Sequence, residues 1–148
     1  MSEELDIVPV GLRHSLTLRI DERLTVPALA SAFAGFADMP PVFATAYMVG
    51  FMEGACTEAL RSRLAPGQST VGTHIDVSHV SATPVGLSVV AEVEVVAVVR
   101  RKVRFKVACR DDAGRIGEGF HERAIIDRDA FMARVSTKAE RNADVRGI

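Results

Sequence analysis

An α+β fold, with a curled antiparallel sheet wrapped around one long central helix, is predicted from three features of this chain. Residues 40–64 stay apolar as far as Cys56 and end at Pro66-Gly67, a segment of about six helical turns. Its first half is hydrophobic nearly all round, so the helix has to be enclosed rather than laid on a surface. Four strand-like runs follow, with only turn residues between them.

Residues 13–20 open the structure, because Leu16, Leu18 and Ile20 alternate with Thr17 and Arg19 at the period of a half-buried strand. Residues 25–38 are alanine-rich, with Phe33 and Phe36 three apart, and Pro27 and Gly35 oppose one regular helix, so this piece reads as a lid-like connector. After the long helix come strands at 70–80, 87–99, 101–109 and 115–126, separated by Pro84 and Gly86 and by the turn Asp111-Asp112-Ala113-Gly114. In the second of these, Leu87, Val89, Ala91, Val93, Val95, Ala97 and Val99 fill one face. A short helix at 129–135 and a polar tail complete a single domain of 148 residues, with flexible ends expected at 1–10 and 136–148. Strand, enclosed helix, then a run of antiparallel strands is the order of the hot-dog fold. One such sheet leaves strand edges open, and pairing with a second copy is the usual remedy, so a homodimer is expected.

Composition narrows the function. A charged fraction of 25% and a net charge of −1 give no electrostatic reason to expect nucleic acid or an anionic membrane as partner. The longest apolar stretch is about half a bilayer span and runs into Glu53. Two cysteines, Cys56 and Cys109, lie outside any metal or disulfide spacing, and the acidic N-terminus has none of the basic and apolar order of an export signal. A cytoplasmic location without a metal is therefore expected. The sequence has no nucleophile elbow, phosphate-cradling glycine loop, H-E-x-x-H or dinucleotide fingerprint.

Three residues are candidates for chemistry. Glu53 follows eleven mostly apolar positions, where a carboxylate is costly without a partner; alternatively, the helix has begun to emerge there beside Glu58 and Arg61. Thr45 lies eight positions earlier, within about 80° around the helix and two turns away along it, although a mid-helix threonine also bonds back to its own helix. His79 shares a strand face with Ile75 and Val77, pointing towards the helix as an acid, base or orienting group, or as a satisfied core histidine. His121, Glu122 and Arg123 form a polar cluster on the last strand, and His14 reads as surface.

The ordered blocks Pro41-Val42-Phe43-Ala44-Thr45-x-x-Met48-Val49-Gly50-x-Met52-Glu53-x-Ala55-Cys56, Gly72-Thr73, His79-x-x-Ala82-Thr83-Pro84-x-Gly86-Leu87 and Ile116-Gly117-x-Gly119-x-His121-Glu122-Arg123-Ala124 resemble the fluoroacetyl-CoA thioesterase family. The resemblance implies a dimeric hot-dog hydrolase of short acyl-CoA esters, using no cofactor beyond the CoA of its substrate. It implies catalytic roles for Thr45, Glu53 and His79, and acyl-group contacts for Gly72 and Arg123. The lid phenylalanine is kept as Phe36, but Met39 stands where the family has a gating phenylalanine, and a flexible thioether closes a pocket less rigidly than a ring, which weakens the expectation of fluoroacetyl selectivity. Either Glu53 reacts directly while Thr45 and His79 position the ester, or Thr45 and His79 form a nucleophile and base with Glu53 orienting them. The first reading is preferred, with a backbone N–H near Gly72 as oxyanion donor. The basic stretch Arg100, Arg101, Lys102, Arg104 and Lys106 is either a solvated face or a site for the substrate's phosphates. The rival functions are a non-hydrolytic acyl-CoA-binding domain and an enoyl-CoA hydratase, the latter lacking its Asp-x-x-x-x-His pairing.

Overall fold

The computed structural model describes residues 8–146. Five strands, β1 (Arg13–Arg19), β2 (Gln68–Val77), β3 (Ser88–Val99), β4 (Lys102–Asp111) and β5 (Gly114–Asp127), form one antiparallel sheet in the order β1-β3-β4-β5-β2. Helix α1 (Thr45–Arg61) lies in its concave face, and α2 (Arg128–Arg146) leaves the end of β5. The core is what the alternation demands: Val89, Ala91, Val93 and Val95 of β3 and Val103, Phe105, Val107 and Cys109 of β4 meet Met48, Met52, Ala55, Cys56 and Leu60 of α1. Truncating any of the larger ones to alanine costs about 2–5 kcal/mol.

Several expectations need correction. The helix is shorter than 40–64, because the two prolines begin an extended stretch: Val42 bridges Pro84, and Phe43 bridges Thr25 and donates its N–H to the Thr83 carbonyl. Thr45 consequently opens α1 instead of sitting inside it. The face of β3 does not run unbroken to Val99, since a bulge between Val95 and Ala97 turns Val98 inward and leaves Val99 exposed. His14 is not on the outer surface. It shares the inward face of β1 with Leu16 and Leu18, and its Nε2 is 3.6 Å from Glu58 on α1. The predicted flexible tail from 136 is helical as far as Arg146, while most of residues 1–10 lie outside the described region.

The lid, residues 25–41, is a series of 3-10 turns that leaves and returns at the start of α1, where Val26 N–H donates to Val42 and Ala44 N–H to Leu24. Phe33 and Met39 are exposed, while Val26, Leu29 and Phe36 are half-buried. Also exposed is the outer edge of β2, which pairs only with β5 and leaves Ile75 open on the concave side.

Candidate active site

Two polar clusters occupy the concave side. The first is at the N-terminus of α1, where Thr45 Oγ1 lies 2.7 Å from His79 Nδ1. Its placement follows from backbone contacts. The chain beyond β2 rides over β5, with Ser78 N–H donating to Glu118 and Val80 N–H to Ile116, and Gly117 permits this approach because a Cβ there would run into the Ser78 carbonyl. His79 therefore sits in a connector just past β2, not on the strand as expected. The opposite wall is fixed by Thr83, whose carbonyl binds Phe43 N–H and whose buried hydroxyl donates to Asp111 at 2.7 Å. Burial holds the His79 imidazole below its ordinary value, so the ring is neutral near pH 7. Among the described residues its Nε2 is buried without a hydrogen-bond partner. Ala44, which precedes α1, has no capping side chain, so the first-turn N–H groups beside Thr45 point a positive dipole end at this corner.

The second cluster is built on Glu53. Arg123 Nη1 donates to Glu53 Oε1 at 3.2 Å and also reaches His121 Nε2 at 3.1 Å. Arg123 Nε donates to Thr70 Oγ1 and Nη2 to the Thr70 carbonyl, at 2.9 and 3.1 Å. The guanidinium is buried, whereas the Glu53 side chain keeps 39% of its surface, facing a shallow groove lined by Gly72, Thr73, His74, Ile75 and His121. Gly72 is where this groove needs no side chain: a Cβ would stand 2.8 Å from Glu53 Oε1 and 3.2 Å from His121 Cε1. A larger concavity lies on the convex face, where Arg13 pairs with Glu94 at 3.4 Å and Glu92 and Arg115 pair with Arg110 and Glu118. Arg104 of the basic stretch is taken up similarly, over the Phe120 ring and 3.9 Å from Glu122.

Thr45 and His79 are thus brought together, and so are Glu53, Gly72 and Arg123. Within one chain the two groups are not joined: eight residues of helix put about 12 Å between Thr45 and Glu53 along the axis. Phe36 is half-buried with its ring edge-on to Phe33, and Met39 is exposed in the lid. Sequence reasoning gave no role to Thr70 or His121. The two-residue spacing of His121 and Arg123 was the available signal, since it puts both on one face of β5.

The model of the fluoroacetyl-CoA-specific thioesterase family matches residues 25–129. The chain belongs to that family. A fluoroacetyl-CoA thioesterase from Streptantibioticus cattleyicolor is 40% identical over 133 residues, which cover 90% of this chain and 96% of that one. A solved structure of the fluoroacetyl-CoA thioesterase aligns with a TM-score of 0.85 at 40% identity, covering 88% of this chain and 97% of the other. A variant of that enzyme in complex with fluoroacetate and CoA aligns at 0.81 with 40% identity, over 84% and 99% of the two chains. A hot-dog-like protein from Thermanaerovibrio acidaminovorans, 22% identical, aligns at 0.79 over 92% and 96%, and shares the fold. As a member of this family the chain has the hot-dog fold expected of it, and among its described residues no helix is long and apolar enough to cross a membrane.

Proposed function

We propose that this protein hydrolyses a short-chain acyl-CoA thioester to the free acid and CoA, acting as a cytoplasmic homodimer without a further cofactor. The observation that carries the reading is the Glu53 carboxylate, aimed into an open groove by Arg123 and left room by a glycine. A carboxylate so held either attacks the thioester carbonyl or takes a proton from the water that does; a C–O bond forms, the C–S bond breaks, and CoA leaves as the thiolate, and after direct attack water then cleaves the mixed anhydride to release the acid and restore the carboxylate. At the other corner, a neutral His79 protonated on Nε2 accepts the Thr45 hydroxyl hydrogen at Nδ1 and fixes that hydroxyl against the ester. The uncapped first turn of α1 favours the developing oxyanion by its N–H groups, a second donor beside the backbone N–H near Gly72.

The 12 Å between the clusters is the argument for two chains. A second copy adding its own β2 to the open β2 edge would cover Ile75 and continue the sheet. It would also lay a second α1 beside the first along the small residues Ala46, Gly50 and Gly54, where the glycines have no heavy atom within 4 Å of a built Cβ. Two helices related by a two-fold axis run antiparallel, which brings Glu53 of one chain towards Thr45 and His79 of the other. The reacting site is then composite.

A short acyl group suits the groove beside Gly72, where the buried His121 ring forms part of the wall. The flexible, exposed Met39 argues that acetyl-CoA and similar esters are turned over as well as fluoroacetyl-CoA. Release of free CoA, followed with a thiol reagent over a panel of acyl-CoA esters, tests the proposal. Turnover of two- to four-carbon esters is expected; binding without CoA release, or hydration of an enoyl ester instead, would overturn it.

A further inference from the structure

His121 is completely enclosed, yet each of its ring nitrogens has a neighbour. Nδ1 is 2.7 Å from the His74 carbonyl oxygen, which can only accept, so Nδ1 carries the proton. Nε2 is 3.1 Å from Arg123 Nη1, which can only donate, so Nε2 carries the lone pair. Both neighbours demand the same species, a neutral imidazole protonated on Nδ1. Glu53 Oε1 is 3.7 Å from Nε2, beyond hydrogen-bond reach, so the ring meets the carboxylate only through Arg123. Arg123 in turn has four directed contacts: two to Thr70, one to His121 and one to Glu53. With three of them fixed by β2 and β5, the fourth N–H points at the carboxylate in a set direction.

We propose that His121 is a positioning residue: as a neutral ring anchored to the His74 carbonyl, it locks the Arg123 guanidinium and thereby sets the orientation of the Glu53 carboxylate. This rests on the reading that Glu53 is the reacting group. The ring is built into the sheet at a special place, since the β2 register slips between Gly72 and His74, opposite Arg123 and Glu122 and one pair short of His121. The groups that act on it are Glu53 from α1, the His74 backbone from β2 and Arg123 from β5, with the Glu122 charge next to it in sequence; Val103, Phe105 and Val107 of β4 on this face are apolar, and Glu122 itself lies on the opposite face with Arg104. Burial is the largest influence on the ring and favours its neutral form, the His74 carbonyl works against it, and the Arg123 charge adds to burial. Adding a proton at Nε2 would set an N–H against the guanidinium and release Arg123 from its place.

Two substitutions separate positioning from packing. His121→Gln puts an amide near the Nε2 position, able to accept from Arg123, whereas His121→Asn reaches only the Nδ1 position and leaves Arg123 Nη1 without its partner on β5. With acetyl-CoA, His121→Asn is expected to lower kcat about 100-fold with KM changed little, as for a reacting group misplaced by about 1 Å, while His121→Gln keeps kcat within a few-fold. The acid limb of log kcat against pH should also become less steep in His121→Gln, because the ring protonation that disturbs Arg123 is no longer available. Equal losses in both variants, wild-type kcat in His121→Asn, or an unchanged slope would overturn the proposal. Nitrogen-15 NMR of the wild-type imidazole reads the tautomer without substrate, and so remains informative if a variant fails to fold or if the chain turns over no ester. A protonated Nδ1 with a bare Nε2 at pH 7 is expected, and the opposite tautomer or a doubly protonated ring would overturn the assignment.

Discussion

Replacing Gly72 by alanine adds one methyl group at the point where β2 faces the Glu53 carboxylate. The new carbon would stand 2.8 Å from Oε1, and ordinary contact begins at 3.4 Å, so the carboxylate has to retreat by about 0.6 Å. It can do so, because the closest atom is the free end of a half-exposed side chain; the His121 ring, 3.2 Å away, has to give by only a few tenths of an ångström, and the fold should survive with Tm within a few degrees of the wild type. Any such shift of Oε1 changes its 3.2 Å contact with Arg123. Displacements of this order at a reacting group cost ten- to a hundred-fold in rate, roughly 1.4–2.7 kcal/mol of transition-state stabilisation. Steady-state CoA release from acetyl-CoA, beside a thermal melt, is the assay: kcat should fall by that factor with Tm nearly unchanged. Wild-type kcat in a folded Gly72→Ala protein would show that the carboxylate's position against β2 has no bearing on turnover.

Gly117→Ala is the contrasting case, because its added carbon meets the Ser78 backbone instead of a movable side chain; it should destabilise by about 3 kcal/mol in a denaturant melt and displace His79, and a melt like the wild type's would count against the close approach. Both His79 and His121 are held below the ordinary value of 6.5, so the unfolded chain takes up more protons than the folded one between 6.5 and the lowered values. Stability should therefore fall as pH drops below about 6.5, seen as a decreasing Tm, and a Tm that rises over that window would contradict neutral rings in the fold. A purified mixed dimer of one Thr45→Ala chain and one Glu53→Gln chain should keep about half the wild-type kcat if each site draws on both chains, since one site is then intact; no activity would place each site within a single chain.

The parts of the fold set by apolar periodicity were legible in the sequence. The alternation in β3 and β4 and the all-round hydrophobicity of α1 gave the sheet, the helix and their facing sides, because burial rewards those patterns directly. What failed were features decided by other contacts. The bulge in β3 reversed the faces after Val95, and the strand bridges of Val42 and Phe43 shortened the helix. In β5 the faces run against apolar periodicity for a functional reason: Phe120 and Ala124 lie on the outer face, and the inner positions are given to His121 and Arg123. A polar site inside a sheet inverts the hydrophobic reading of the strand that carries it. Thr45, Glu53 and His79 could each be singled out by type and place, but their division into two clusters depends on helix length and on Arg123, and neither partner of that arginine beyond Glu53 announces itself in the sequence.

Glu53→Gln keeps the shape and the Arg123 contact of the side chain while removing its charge and its ability to take a proton or attack. Measured on acetyl-CoA with the oligomeric state and Tm checked alongside, kcat should drop by about 100- to 10,000-fold while the protein stays folded. A folded Glu53→Gln enzyme that still releases CoA at the wild-type rate would mean that the chemistry is done by some other group.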